Sequence, residues 1–208
     1  MRKCFCVLAV VLVLAASLTG GVKFNLGLKA GLSLSDARWS DDDGSEKALA
    51  RPSFGVLAVF DLTPTLALQP EVDYLTVGEK WEGIFDMNDR YEEVLYQTYL
   101  HIPVLLKVRL SQKGRFAPSI LAGPALSILL SARDKEWYNG NLGYDANIKD
   151  EFRSMEFGAD MGLAGEYMMK GFKLFLDLRY YLGLTDPYIP TDYTVKNNAL
   201  IIAAGVLF

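Results

Sequence analysis

The chain has 208 residues, 51% hydrophobic and 22% charged, with a formal net charge of −4. So much charge excludes a polytopic helical membrane protein, and past the N-terminus no run of ~18 apolar residues exists to span as a helix. The acidic balance also argues against nucleic acid as a partner.

The N-terminus reads as a targeting segment. Arg2 and Lys3 form a basic start, "FCVLAVVLVLAAS" is a short apolar stretch, and the small residues of "SLTGG" suit cleavage near Thr19 to Gly21. Residues 1–21 are therefore expected to be a secretory signal peptide handled by the Sec route, and residues 22–208 one domain. Cys4 and Cys6 precede the apolar stretch, so neither suits lipidation, and the chain has no cysteine after them. The mature part then has no disulfide, thiol chemistry or cysteine metal site. Loss of Arg2 and Lys3 takes Lys+Arg from 21 to 19 against 25 acids, a formal −6.

Alternation with a period of two then runs down the chain. In "FNLGLKAGLSLS", Phe24, Leu26, Leu28, Leu32 and Leu34 oppose Gly27, Lys29, Gly31, Ser33 and Ser35. "SFGVLAVFDL" is less decisive, with both faces apolar. In "LALQPEVDYLT", Leu66, Leu68, Val72 and Tyr74 oppose Ala67, Gln69, Glu71 and Asp73. In "YLHIPVLLKVRL", Leu100, Ile102, Val104 and Leu106 oppose Tyr99, His101, Lys107 and Arg109. A fifth strand is expected in "RFAPSILAGPALSILLSA". In "SMEFGADMGLAGEY", Glu156, Asp160 and Glu166 share one face while Met155, Phe157, Met161 and Leu163 share the other. "FKLFLDLRYYLGL" and "NNALIIAAGVLF" complete a set of eight, each near the ~9–11 residues a tilted strand needs to cross a bilayer.

The connections alternate too. "TPT", "SQKGR" and "MKG" are short, whereas "DARWSDDDGSEKALARP", "GEKWEGIFDMNDRYEEV", "RDKEWYNGNLGYDANIKDEFR" and "TDPYIPTDYTVK" are long and polar. All long connections then leave one end of an up-and-down meander. The expectation is an all-β, eight-stranded antiparallel transmembrane β-barrel with short turns at one end and long loops at the other.

The face assignment follows from charge. A lysine or arginine facing lipid at the midplane costs ~2–4 kcal/mol, and an eight-stranded interior is just wide enough for side chains to fill. The charged face therefore points inward. Closing the "MKG" hairpin with matching faces puts Glu166 across from Lys173 and Asp160 across from Arg179, opposite charges that stabilise cross-strand pairs. Lys29, Glu71, Asp73, Lys107, Arg109, Glu156 and Asp177 share the inward face and extend this into a lumen charge network. Trp39, Tyr74, Trp81, Tyr99, Tyr167, Tyr180 and Tyr181 cluster near strand ends, as an interfacial girdle requires. The terminal Phe208, sharing a face with Leu200, Ile202 and Val206, resembles the signal read by barrel assembly machinery.

The segments "LALQPEVDYL", "YLHIPVLLKV", "LAGPALSILLSA" and "LDLRYYLGLTD", with a "GLKAGLSLS"-like first strand, resemble the PorT-like outer-membrane β-barrel family from about Gly27 to Phe208. The resemblance implies a single-chain barrel with both termini in the periplasm of a Gram-negative-type bacterium. The family's namesake is associated with protein secretion across the outer membrane. The family has no catalytic motif to carry over.

Little in the sequence points to chemistry. His101 is the sole histidine, too few for a histidine metal site, and no spacing joins it to a nucleophile and an orienting acid. "SDDDGSE" lacks the calcium-loop spacing, and "DMNDRYEE" reads likewise as a solvated acidic loop. No cofactor is expected. The expected partners are outer-membrane lipid, the assembly machinery during biogenesis, and proteins met through the long loops, with "GNLGYDAN" a possible tip. A non-enzymatic structural or binding role, with secretion accessory as one form of it, competes with two others: a lipid A-modifying enzyme built on His101, and a small-solute pore.

Overall fold

The computed structural model describes residues 23–39, 46–85, 89–111, 114–189 and 195–208. The signal-peptide expectation and most of "SDDDGSE" lie outside them. Alternation becomes strand throughout: β1 Lys23–Trp39, β2 Glu46–Asp61, β3 Leu66–Phe85, β4 Asp89–Arg109, β5 Phe116–Tyr138, β6 Asn141–Asn147, β7 Met155–Met168, β8 Lys173–Gly183 and β9 Val195–Leu207. All pairings are antiparallel. The sheet runs β4-β3-β2-β1-β9-β8-β7-β5-β6, and β4 also pairs β5, so eight strands close into a ring with β6 outside it. The seam joins the first and last ring strands from Gly27↔Leu207 to Trp39↔Val195, and Phe208 and Leu26 exchange backbone hydrogen bonds at its end.

Three features depart from the sequence reading. The strands far exceed a membrane crossing. β5 has 23 residues, about 75 Å at ~3.3 Å per residue, against an apolar band of ~25 Å. Much of what reads as long loop is hairpin: β3 and β4 stay paired from Leu66↔Val108 to Phe85↔Asp89. Those outer rungs mix charged and apolar residues on both faces, as at Trp81↔Glu93 and Ile84↔Arg90, so they lack the contrast that marks a strand in lipid. Second, β7 and β8 pair Glu166 with Phe175, Gly162 with Arg179 and Met168 with Lys173, two residues away from the register expected. The turn spans Met169–Phe172, closed by the Met169 N–H donating to the Phe172 carbonyl at 2.9 Å, with Gly171 at φ +90°. It is thus longer than "MKG". Third, Tyr99 and Tyr181 are buried in the interior and belong to no girdle, whereas Tyr74, Tyr167 and Tyr180 are exposed.

The outer surface of the ring is oily. Leu26, Leu28, Leu32, Phe54, Val56, Leu106, Phe157, Met161, Leu163 and Leu176 are all exposed, far more contiguous apolar surface than a water-soluble monomer presents. Their strand neighbours Lys29, Ser33, Glu71, Lys107, Asp160 and Asp177 are buried. Close approach at the seam requires Gly31, where an added Cβ would lie 2.0 Å from the Ile202 carbonyl oxygen and 2.6 Å from Ala203 Cα.

Candidate functional site: a sealed ionic lumen and a hairpin rim

The interior is layered along the barrel. Towards the short turns, Leu57, Val59, Ala67, Phe175 and Leu207 form an apolar layer. Towards the long hairpins, Leu75, Val77, Tyr99, Leu129 and Ile201 form another, covered by Phe152, whose ring lies 4.4 Å from that of Tyr188. The charges lie between.

At their centre is Arg179 on β8, 1% exposed. Its Nη2 lies 2.9 Å from Glu71 Oε2, its Nε 3.0 Å from Asp177 Oδ1, and its Nη1 3.8 Å from Asp160 Oδ2. Lys29 on β1 donates to Glu71 and, at 2.7 Å, to Asp73 Oδ2. Lys107 on β4 donates to Glu166 and, at 3.1 Å, to Gln69 Oε1. Glu156 is held by neutral donors, accepting from Tyr181 Oη and Asn197 Nδ2, each at 2.9 Å. Each lysine thus serves two acceptors, while Arg179 is held by ion pairs whose geometry leaves its nitrogens without a formal hydrogen bond.

Two members of the sequence-derived set sit apart from this centre. Arg109 lies at the short-turn mouth, its Nη2 2.6 Å from Asp61 Oδ1. Lys173 reaches Glu166 Oε2 at 3.7 Å from the same mouth. Both line a cavity of about 460 Å³ with Lys23 and Thr63. The pairs Glu166–Lys173 and Asp160–Arg179 do approach, but diagonally, because the register differs by two.

One constellation that no spacing revealed is His101. Its Nδ1 lies 2.8 Å from Ser127 Oγ and its Nε2 3.0 Å from Asp160 Oδ2, with Tyr181 edge-on at 4.9 Å. Ser127, His101 and Asp160 come from β5, β4 and β7, so only barrel closure joins them. The connectivity is that of a nucleophile, base and orienting acid. Yet Ser127 is 1% and His101 0% exposed, and neither lines the cavity at the short-turn mouth. The hydroxyl faces packed side chains, with Tyr181 Oη 3.4 Å away. No cluster of His, Cys, Asp or Glu among the described residues is arranged to hold a metal.

Beyond the lumen, β5 and β6 form a hairpin about Asn139 and Gly140, with φ +52° and +79°. Two successive positive φ values make the tight turn that Asn-Gly favours. This dipeptide inside "EWYNGNLG" was the available signal for the hairpin. The tip is tied to the β3–β4 hairpin: the Asn139 N–H donates to the Arg90 carbonyl at 2.8 Å, the Arg90 N–H to Asn139 Oδ1 at 2.8 Å, and Asn139 Nδ2 to Asp89 Oδ1 at 2.8 Å. Below it, Glu93 pairs directly with Glu136, and Asp134 lies one step down on the same face. Burial, then Glu93, Glu136 and Glu151, pushes the Asp134 carboxyl up to about 6.

Solved structures similar to this chain are likewise β-barrels. Neisserial surface protein A is 15% identical, with 90% of this chain and 99% of that one covered and a TM-score of 0.49. Ail of Yersinia pestis is 11% identical, covering 89% and 99%, at 0.43. OprG of Pseudomonas aeruginosa is 12% identical, covering 91% and 98%, at 0.42. No curated protein matches the sequence. The family model for the outer membrane protein beta-barrel domain matches residues 15–188, and the chain belongs to this family of outer-membrane proteins.

Proposed function

We propose that this outer-membrane barrel is a non-enzymatic surface-binding protein of the PorT-like kind its strand segments resemble. Its short turns and termini face the periplasm, its long hairpins face outward, and lipid surrounds its belt. The single observation that carries the reading is the filled lumen: Arg179, Lys29, Lys107 and their acids occupy the cross-section between two apolar layers. A barrel so packed offers no aqueous path, and porins with open channels need ~16–18 strands. What is left to meet a partner is the structured rim, and secretion accessory work is one use of such a rim. The burial of Ser127 and His101 supports the absence of turnover. The test is planar-bilayer recording of the folded chain, which should give no steady single-channel current. A reproducible conductance would refute the filled-lumen reading. An altered lipid A profile on His101→Ala, with folding retained, would refute the non-enzymatic one.

A further inference from the structure

The ring has no open edges, but the sheet does. β6 pairs only with β5, from Arg133↔Asn147 to Tyr138↔Asn141, and among the described residues no strand lies along its other side. A strand edge presents a row of unpaired N–H and C=O groups, and natural proteins blunt such edges with lysine, proline or inward charge. "NLGYDAN" carries neither lysine nor proline. Its one charge, Asp145, is already held by Arg133 Nη1 at 2.7 Å and Lys135 Nζ at 3.3 Å on the same sheet. The one bulge, at Gly143 between the Glu136 and Trp137 pairs, leaves Tyr144 to Asn147 regular. The three hydrogen bonds at the Asn139 tip fix the hairpin in place, so adding a strand costs little ordering of the receptor.

We infer that the free edge of β6 accepts an extended segment of a partner protein by β-augmentation, and that this segment alternates basic and apolar side chains. The main-chain ladder supplies affinity and the alternate side chains supply selectivity. Charge decides the alternation. Tyr144 and Ala146 lie on the face they share with Glu136 and Asp134, which continues through Glu93 on β4. None of these three acids has an ion pair among the described residues, and Asp134 Oδ1 is buried without a hydrogen-bond partner. Strands ~4.8 Å apart place an incoming residue about 10 Å from β5, and a lysine passing over the small Ala146 spans that gap to Asp134. On the opposite face Asp145 is neutralised and Leu142 is exposed beside Trp137, so the incoming side chains there are apolar. A second copy of this chain is the poorer occupant, because it brings the same acids to the acidic face.

The inference deepens the surface-binding reading but is tested apart from it, since neither orientation nor conductance enters the assay. The folded chain in detergent is mixed with a ten-residue peptide alternating lysine and valine, or with one alternating glutamate and valine, and amide hydrogen exchange is followed residue by residue. The lysine peptide should slow exchange of free-edge amides between Asn141 and Asn147 at least tenfold, and the glutamate peptide should not. Tyr144→Lys, which leaves the hairpin turn intact, should reduce that protection severalfold, and Tyr144→Thr should keep most of it. Equal protection by both peptides, or binding without protection of β6, overturns the inference. Protection that rises with protein concentration alone overturns it in favour of self-pairing.

Discussion

Removal of Arg179 tests the ionic interior hardest. Its guanidinium is fully buried and lies 2.9, 3.0 and 3.8 Å from the carboxylates of Glu71, Asp177 and Asp160. At an effective dielectric of ~20, a unit pair at 2.9 Å is worth about 6 kcal/mol before desolvation. Relief of the arginine's own desolvation offsets part of this, and removing one partner of a buried pair costs ~3–5 kcal/mol. Arg179→Met keeps the unbranched bulk, so the cavity contribution is small. The expected loss is therefore ~3–5 kcal/mol, read by urea unfolding of the barrel in lipid vesicles with tryptophan fluorescence. Adding Glu71→Gln and Asp177→Asn to Arg179→Met should restore well over ~1 kcal/mol, because the charges left behind are then gone. A loss below ~1 kcal/mol, or strict additivity of the three substitutions, would refute the reasoning.

Other consequences follow from the same geometry. Leu28→Arg places a cation on the oily face and should cost ~2–4 kcal/mol in the same vesicle assay if the site lies near the midplane; an unchanged midpoint would contradict its exposure to lipid. Gly31→Ala drives a methyl into the backbone of β9 and should sharply reduce the heat-modifiable folded band on gels. The Asp134 carboxyl has a folded pKa of about 6, above its ordinary value of 3.8. The native state therefore binds the proton more tightly, and this site stabilises folding as pH falls from about 6 towards 4. Its ionised form opposes folding above that window, by an amount reduced by solvent because the residue is only partly buried. Asp134→Asn should flatten the pH dependence of unfolding between pH 4 and 6 and raise stability at pH 7; an unaltered profile would contradict the like-charge face.

The sequence carried the barrel because lipid enforces contrast: Leu174, Leu176 and Leu178 against Asp177 and Arg179 cannot be read as a helix or as loop. The same contrast fades beyond the bilayer. Lys80, whose Nζ bridges Glu82 and Glu92 at 2.9 Å each, sits where Trp81 and Ile84 are interspersed with charges on both faces, so periodicity vanishes while pairing continues. Asn139-Gly140 is legible from turn chemistry, but the polar residues around it have the composition of a loop. Register was not legible at the β7–β8 turn, since a span of "MMKGF" closes with two or four loop residues and only the folded chain chooses. The meeting of His101, Ser127 and Asp160 depends on the stagger of strands distant in sequence, which no local pattern encodes. Tyr180 and Tyr181 teach the simplest lesson: adjacent aromatics on a strand point to opposite faces, so only one of them meets the membrane.

The inversion of faces is tested most directly by oxygen accessibility of single nitroxide labels along β8 in a bilayer. The chain has no cysteine after Cys6, so with Cys4 and Cys6 replaced by serine, cysteines introduced singly from Leu174 to Tyr181 report without background. The account predicts high oxygen collision rates at Leu174, Leu176, Leu178 and Tyr180, low rates at Phe175, Asp177, Arg179 and Tyr181, and a period of two. A flat profile, or maxima at the odd positions, would contradict it.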